Sequence, residues 1–344
     1  MGPEHTIIGV DIGGTKVAGA LVRGRLPARG AHPRSELETP LVGERFVAPT
    51  SQSSAEECLA GILACVDRLT ASGDADAIGV GVASMVDFAA GSVVESVNLP
   101  LADVPLREIL RAHTGLPVVL DNDATAAAVG EHVFGAGAGT RDMLMLTLGT
   151  GVGGGIICGC RPYRGASGAA AELGHIILDV DGPECPGGCP SRGCLEAYAS
   201  GTAMGAAAAA QARALPDSAL GRALAAGEAV DSRLLTALAL DGDADAVALV
   251  ARAGEYLGAG LVTLVNIFDP ELVVIGGGAA AAGELLLAPA RRVLAARGLP
   301  PARDRVRIVP AALGADAGFI GAAALALTEL LPGDGRSPGP PTTT

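Results

Sequence analysis

The chain has 344 residues, enough for two domains or two lobes of one fold, each with its own core. A formal net charge of −13, with no run of Lys or Arg, argues against nucleic acid or an anionic membrane as partner, so any phosphate must be met by local groups. The 49% apolar content lacks Trp and includes only three Tyr and five Phe, so the cores are aliphatic. Glycine, at 50 of 344, runs at about twice its usual share and is clustered, which marks loops that approach a ligand closely. Seven cysteines and no secretory leader at Met1–His5 read as a reducing, cytoplasmic setting, and no uninterrupted apolar run is long enough to span a membrane.

Ile7–Val10 is a short apolar run that ends on Asp11, followed by Ile12-Gly13-Gly14-Thr15-Lys16 and a second apolar stretch through Val22. This reads as strand, glycine turn, strand. The helix of a dinucleotide fingerprint and the Gly-Lys-Ser/Thr of a P-loop are both missing. The backbone of Gly13, Gly14, Thr15 and Lys16 can instead offer successive N–H groups to a phosphate, and Asp11 can hold Mg²⁺ or its water. The plainer reading is a hairpin turn. Residues 24–50 are irregular, with Pro27, Pro33, Pro40 and Pro49.

Ser54 and Glu57 form a capping box for a helix whose apolar residues recur from Leu59 to Leu69, with Cys58 and Cys65 as inert core thiols. Ile78–Val86 reads as a buried strand. The following segment brings Asn98 into a loop, where its amide can bind a hydroxyl or cap a turn. After a helix over Pro105–His113, the strand Pro117–Leu120 delivers Asp121-Asn122-Asp123 onto an alanine-rich helix that runs to about Phe134. One polar residue would suffice as a cap. Two carboxylates and an amide point to a site, with one aspartate free to act as general base toward a substrate hydroxyl.

Met143–Thr147 leads into Leu148-Gly149-Thr150-Gly151 and a further β-like stretch, so the first pattern repeats and suggests two related lobes. Glu172-Leu-Gly-His175 then opens a segment containing Cys185, Cys189, Cys194 and Glu196. Its Gly and Pro content excludes regular structure, and one imidazole with three thiolates makes a closed tetrahedral set for structural Zn²⁺. Glu172 and Glu196 flank that set, where a rigid loop would hold carboxylates for a polar substrate. A helix over Leu195–Leu215, two short ones and a long one over Asp243–Phe268 precede the strand Leu272–Ile275. That strand opens into Gly276-Gly277-Gly278, which lets a flat base or ribose lie on the backbone. A last helix runs from Ala317 to about Leu331, and the tail 332–344 has the composition of a disordered segment.

With Asp11–Lys16, Asp121–Asp123, Leu148–Gly151, Glu172–His175, the cysteines and Gly276–Gly278 in this order, the chain resembles the ROK family of sugar kinases and sugar-responsive repressors, over about residues 7–331. Within it the sequence is most like bacterial glucokinases of carbohydrate metabolism. The resemblance implies an actin/hexokinase-like (ribonuclease H-like) α/β fold of two lobes with the active site in the cleft. The expected N-terminal lobe is 1–122 with the final helix from about 315, and the second lobe is 123–314 with a zinc loop at 175–194. The resemblance also implies ATP as phosphoryl donor and Asp123 as base toward a sugar 6-hydroxyl. Asn122, Glu172, His175 and Glu196 become sugar contacts, with His175 shared with the metal. Asp11 becomes the Mg²⁺-associated residue, Gly13–Lys16 and Gly149, Thr150 and Gly151 the phosphate loops, and Gly276–Gly278 the adenosine segment. Family members are often dimers or tetramers. Repressors of the family carry a basic region ahead of the first glycine turn, whereas ten residues precede Asp11 here. The chain departs from the family pattern in placing three residues between the first two cysteines, in Ala83-Ser84-Met85 at a Pro-Gly turn near the sugar, and in lacking Trp after Pro100.

Overall fold

The computed structural model describes residues 3–25, 40–96 and 99–331, and the chain divides into two compact units. Asn98 and the 332–344 tail lie outside the described residues. The first unit comprises Met1–Gly139, Arg164–Ala170 and the segment from Ala315, and the second comprises Thr140–Tyr163 and Ala171–Gly314.

In the first unit, β1 (His5–Ile12), β2 (Lys16–Gly24), β3 (Leu41–Pro49), β4 (Ala77–Val82) and β7 (Val118–Asn122) form a sheet of order β3-β2-β1-β4-β7. A ribbon of β5 (Met85–Asp87) and β6 (Ser92–Glu95) stands apart from it. β1 runs antiparallel to β2 and parallel to β4, which is parallel to β7. β3 is the element within the stretch expected to be irregular. One face of the sheet is covered by the helix Ala55–Ser72, whose Ser54 cap accepts the N–H of Glu57 as expected. Ile62, Cys65 and Val66 of that helix join Ile8, Val10, Val80 and Leu120 in an aliphatic core. Burial pushes the Cys65 thiol up to about 12, which leaves it an inert hydrophobe. The opposite face takes the helices Asp123–Phe134 and Ala317–Glu329. Glycine is required where they meet the sheet and each other, because a Cβ on Gly79 would overlap the backbone of Ala322, and one on Gly321 would overlap that of Ala126 in the neighbouring helix.

These close contacts explain why the expected boundary at 122/123 is wrong. Asp123–Phe134 packs its small side chains onto Ala317–Glu329, so it belongs to the first unit, and the observed boundary lies at 139/140.

The second unit repeats the arrangement. β8 (Met143–Leu148), β9 (Val152–Cys158), β10 (Arg161–Pro162), β11 (Leu272–Gly276) and β12 (Arg307–Pro310) form a sheet of order β10-β9-β8-β11-β12. Again the first strand pairs antiparallel with the second and parallel with the fourth of the set. Asp243 caps the helix Ala244–Phe268 through the N–H of Ala246. This helix is long and apolar enough to cross a membrane, but here its Val250, Leu257, Leu261 and Leu264 pack with Leu286 and Ala290 of the helix Glu284–Arg297 in the core. The helix expected over Leu195–Leu215 is interrupted: Glu196–Ala199 is one turn, Ser200 is extended, and Ser200 then caps Gly201–Ala214 through the N–H of Ala203.

Candidate active site and metal centre

In the first unit, parallel pairing aligns strand ends. Asp11 lies level with Gly81, and Gly81 with Asp121, so Asp11 and the Asp121–Asp123 trio emerge at the same edge on either side of β4. The carboxyl ends of parallel strands are where α/β sheets bind ligands. Gly81 leaves the space between them open, and a Cβ there would sit 3.4 Å from the Cα of Asp123. Gly318, at the start of the last helix, is likewise a glycine because the Asp11 carboxylate lies where its side chain would be. Burial, and then the charge of Asp123, raise the Asp11 carboxyl from its ordinary 3.8 to about 6, with Lys16 acting in the opposite direction.

The trio divides its labour. Asn122 is the N-cap: its Oδ1 accepts the N–H groups of Ala124 (3.0 Å) and Thr125 (3.1 Å), while its Nδ2 donates to the Ser84 carbonyl at 3.4 Å. Asp121, 3% exposed, accepts from Arg164 Nε at 2.7 Å. Burial raises its carboxyl, and Arg164 opposes the rise. Asp123 opens the helix, and the N–H of Ala124 donates to its Oδ1 at 2.8 Å, which fixes the direction of the carboxylate.

Sequence reasoning missed Arg164. It belongs to the segment Arg164–Ala170, inserted in the order of the second unit's elements yet part of the first. Besides Asp121, it reaches Glu329 at 2.8 Å and lies over the Phe88 ring at 3.5 Å from its centre. The only local signal was the repeated glycine around it; its partners are 43 and 165 residues away.

The first glycine turn is tied from behind. Gly13 N–H donates to the Lys16 carbonyl at 2.9 Å, Thr50 Oγ1 donates to the Gly13 carbonyl at 2.8 Å, Thr50 N–H donates to the Thr15 carbonyl at 3.1 Å, and Gln52 bonds the Gly14 carbonyl. In the second unit Gly201 N–H donates to the Gly149 carbonyl and Thr202 Oγ1 to the Thr150 carbonyl, each at 2.7 Å. Gly277, with φ +86°, lets the end of β11 lie against the backbone of Leu148, where a Cβ would collide. The third glycine cluster therefore packs beside the second turn. Gly276 closes β11, and Gly278 has open space around its Cα.

His175, Cys185, Cys189 and Cys194 converge, with their four ligand atoms within 4.8 Å of one another. Cys185 Sγ lies 3.6 Å from His175 Nδ1, and Cys189 Sγ lies 3.7 Å from Cys194 Sγ. Zinc–sulfur bonds of about 2.3 Å at tetrahedral angles put sulfurs about 3.8 Å apart, so the cluster fits a four-coordinate zinc site despite its longer Cys–Cys gap. The loop is set by its own backbone. Ile177 bridges Cys194, Leu195 N–H donates to the Ile176 carbonyl at 2.9 Å, and Gly193, with φ +62°, sits so close to Asp179 that a side chain would collide. Burial pushes the Cys185 and Cys194 thiols up, so a bound dication would have to offset that preference for the protonated form. With Nδ1 toward the sulfurs, His175 Nε2 faces the other way, 3.8 Å from Glu172 Oε2. Glu172 is largely exposed, whereas Glu196 is 4% exposed and accepts the Val152 N–H at 2.7 Å.

The family model described as "ROK family" matches residues 7–329. The chain belongs to the ROK family. It is 37% identical over 326 residues to the glucokinase of Streptomyces coelicolor, covering 93% of this chain and 96% of that one. Among solved structures, the ROK family glucokinase from Streptomyces griseus, crystallised with glucose and AMPPNP, is 37% identical with a TM-score of 0.78, covering 93% of this chain and 98% of that one. The ROK hexokinase from Thermus thermophilus is 36% identical with a TM-score of 0.70, covering 93% and 97%. The chain thus has the two-lobed actin/hexokinase-like α/β fold and is a sugar kinase, a hexose phosphotransferase.

Proposed function

We propose that this kinase is an ATP-dependent glucokinase that transfers the γ-phosphate to the 6-hydroxyl of glucose, with Asp123 as general base. The observation that carries the reading is the carboxylate pair at one sheet edge. Asp123 is oriented by the Ala124 N–H, and its charge is felt by the partly buried Asp11. The two carboxylates suit different tasks, one to accept a hydroxyl proton and one to hold a divalent cation. Asp11 would hold Mg²⁺, which would neutralise charge on the transferred phosphoryl group. The Gly13 and Gly149 N–H groups close their own turns on the Lys16 and Gly151 carbonyls, so the amides of Gly14–Lys16, Thr150 and Gly151 would meet phosphate oxygens, and Gly276–Gly278 the adenosine. Glu172 and His175 Nε2 would meet sugar hydroxyls, and Asn122 would hold the helix that presents the base. Zinc on His175, Cys185, Cys189 and Cys194 would be structural, because four protein ligands leave no open position. Similarity to the Streptomyces griseus enzyme, crystallised with glucose and AMPPNP, supports both glucose and ATP.

A second reading, a hexokinase of broader range, is supported by the Thermus thermophilus relative and by Ala83-Ser84-Met85 at the turn that joins β4 to β5. The test is ADP release from Mg-ATP with glucose, mannose, fructose, N-acetylglucosamine and N-acetylmannosamine, with zinc quantified in the same sample. Highest kcat/KM on glucose supports the first reading, and comparable values on several hexoses support the second. No turnover with any of them, in zinc-replete protein, would overturn both.

A further inference from the structure

A relay of hydrogen bonds inside the first unit starts at Arg164 and ends at Asp123. Arg164 Nε donates to Asp121 Oδ2 at 2.7 Å, and the other oxygen of the same carboxylate accepts the Asn122 N–H at 2.9 Å. Asn122 Oδ1 then holds the Ala124 and Thr125 N–H groups, and the Ala124 N–H also meets Asp123 Oδ1. Both oxygens of Asp121 are thus committed, one to the guanidinium and one to the amide just ahead of Asp123. The guanidinium is fixed on two further sides. Nη2 donates to Glu329 Oε1 at 2.8 Å, at the end of the last helix, and the group lies over the Phe88 ring. Phe88 is itself held, because Arg107 Nη1 donates to its carbonyl at 3.1 Å, and Gly168, with φ +83°, seats the Arg164 segment so closely on Val86 that a Cβ would overlap the Val86 carbonyl. Arg164 is therefore the anchored end of the relay, and with the Asp121 side chain only 4% exposed, water is a poor substitute for it.

We infer that Arg164 is a positioning residue for the general base, acting through the Asp121 carboxylate on the strand-to-helix junction that carries Asp123. A charged donor on a buried carboxylate makes a strong, directional bond, and removing the donor leaves an uncompensated buried charge. Without the guanidinium the Asp121 carboxyl takes up a proton or turns toward water, and its hold on the Asn122 N–H weakens. Asp123 then loses its fixed direction, and a reacting group misplaced by about 1 Å can cost about 10²-fold in rate. The inference rests on the proposal that Asp123 is the base.

The experiment uses the full chain as wild type, Arg164→Leu, Asp121→Asn, the double variant of the two, and Glu329→Gln, each checked by circular dichroism for a native fold at the assay temperature. It measures kcat with Mg-ATP and glucose, glucose affinity by calorimetry, and amide hydrogen exchange at Asn122. Expected for Arg164→Leu is a kcat lower by about thirtyfold or more, glucose affinity within about fivefold of wild type, and exchange at Asn122 faster by about tenfold or more. Asp121→Asn has no charge to compensate and keeps an oxygen for the Asn122 N–H, so it should stay within about fivefold of wild type in kcat, and joined to Arg164→Leu it should restore about tenfold or more of the lost kcat. Glu329→Gln spares the relay and should leave kcat within about threefold of wild type. A double variant as slow as Arg164→Leu alone would overturn the inference, as would a loss confined to glucose affinity, or a Glu329→Gln defect equal to that of Arg164→Leu, which would assign the effect to the last helix. Should Arg164→Leu fail to fold, the double variant decides alone: kcat within about tenfold of wild type supports the relay, and a loss of about thirtyfold or more refutes it. If Asp123→Ala turns over at a near-normal rate, the base reading fails, and exchange at Asn122 still decides whether Arg164 orders the junction.

Discussion

Replacing Asp11 by Asn should stabilise the protein while abolishing magnesium-dependent turnover. The Asp11 carboxyl is raised from 3.8 to about 6, chiefly by burial and then by Asp123. At about 1.36 kcal/mol per pKa unit this corresponds to about 3 kcal/mol. The sign comes from linkage. The folded value lies above the unfolded one, so between roughly pH 4 and 6 the native chain keeps a proton that the unfolded chain has released. Stability contributed by this group is complete below the unfolded pKa, falls as pH rises through about 6, and is flat above. An Asn carries no such penalty. Without divalent cation at pH 7.5, Asp11→Asn should therefore gain up to about 3 kcal/mol, or roughly 6–12 °C in Tm at about 2–4 °C per kcal/mol, and the gain should shrink at pH 5. Saturating Mg²⁺ with nucleotide should stabilise wild type and leave the variant unmoved if Asp11 is the cation's residue. Thermal scans at the two pH values check this. A variant equal to or less stable than wild type at pH 7.5 would show that Asp11 is not held against its preferred charge state and would remove the electrostatic argument for a cation beside it.

Asp123→Ala should lower kcat by at least about 10²–10⁴-fold while glucose binding stays measurable by calorimetry; near-normal turnover would take the base role from it. Cys189→Ser should release zinc, read by metal analysis, and increase amide exchange across 176–195; unchanged zinc content would refute the four-ligand assignment. Arg164→Leu strips the buried Asp121 of its charged partner and should cost about 3–5 kcal/mol of stability, measured by denaturant titration, whereas a loss below about 1 kcal/mol would mean that Asp121 is solvated or otherwise satisfied.

Much of this architecture was legible because its signals are local. A strand ending in Asp, a glycine pair and a second strand can be read as a hairpin from the consecutive residues Ile7–Val22, and the pattern recurs at Met143–Cys158. The cysteine set was legible from chemistry, since thiols in a Gly/Pro-rich loop have no core to enter. What stayed hidden depends on distant partners. Nothing near Asp121 announces Arg164, so a neighbouring pair of aspartates looked interchangeable when one is neutralised inside the unit and the other orients on a helix end. The helix Asp123–Phe134 is rich in alanine, a composition that says "helix" and is silent about which sheet it covers; glycines such as those at 79, 81 and 321 record that choice, and they do so through contacts with residues far along the chain. Ser200 reads as helix interior in an alanine-rich run, but its hydroxyl caps the next segment instead.

The two sheets share one strand order, and their glycine turns share a further device. In each, donors from the start of a later segment, Thr50 and Gln52 in the first unit, Gly201 and Thr202 in the second, hold the turn's carbonyl oxygens. A peptide's C=O and N–H point in opposite directions, so holding the carbonyls turns the amides of the same peptides away from the clamp, which is how a backbone nest for an anion is made. On the proposed function, the duplicated topology supplies two such turns for the same physical reason. They differ in the charged groups that border them. The first is flanked by Lys16 and Asp11, a cation and a titrating carboxylate, whereas the second ends on the Glu196 carboxylate and the cysteine loop behind it. On the proposed function, the first turn's phosphate affinity should therefore depend on pH and divalent cation through Asp11, whereas the second turn borders, among the described residues, none proposed to hold the cation, which separates the two contributions experimentally.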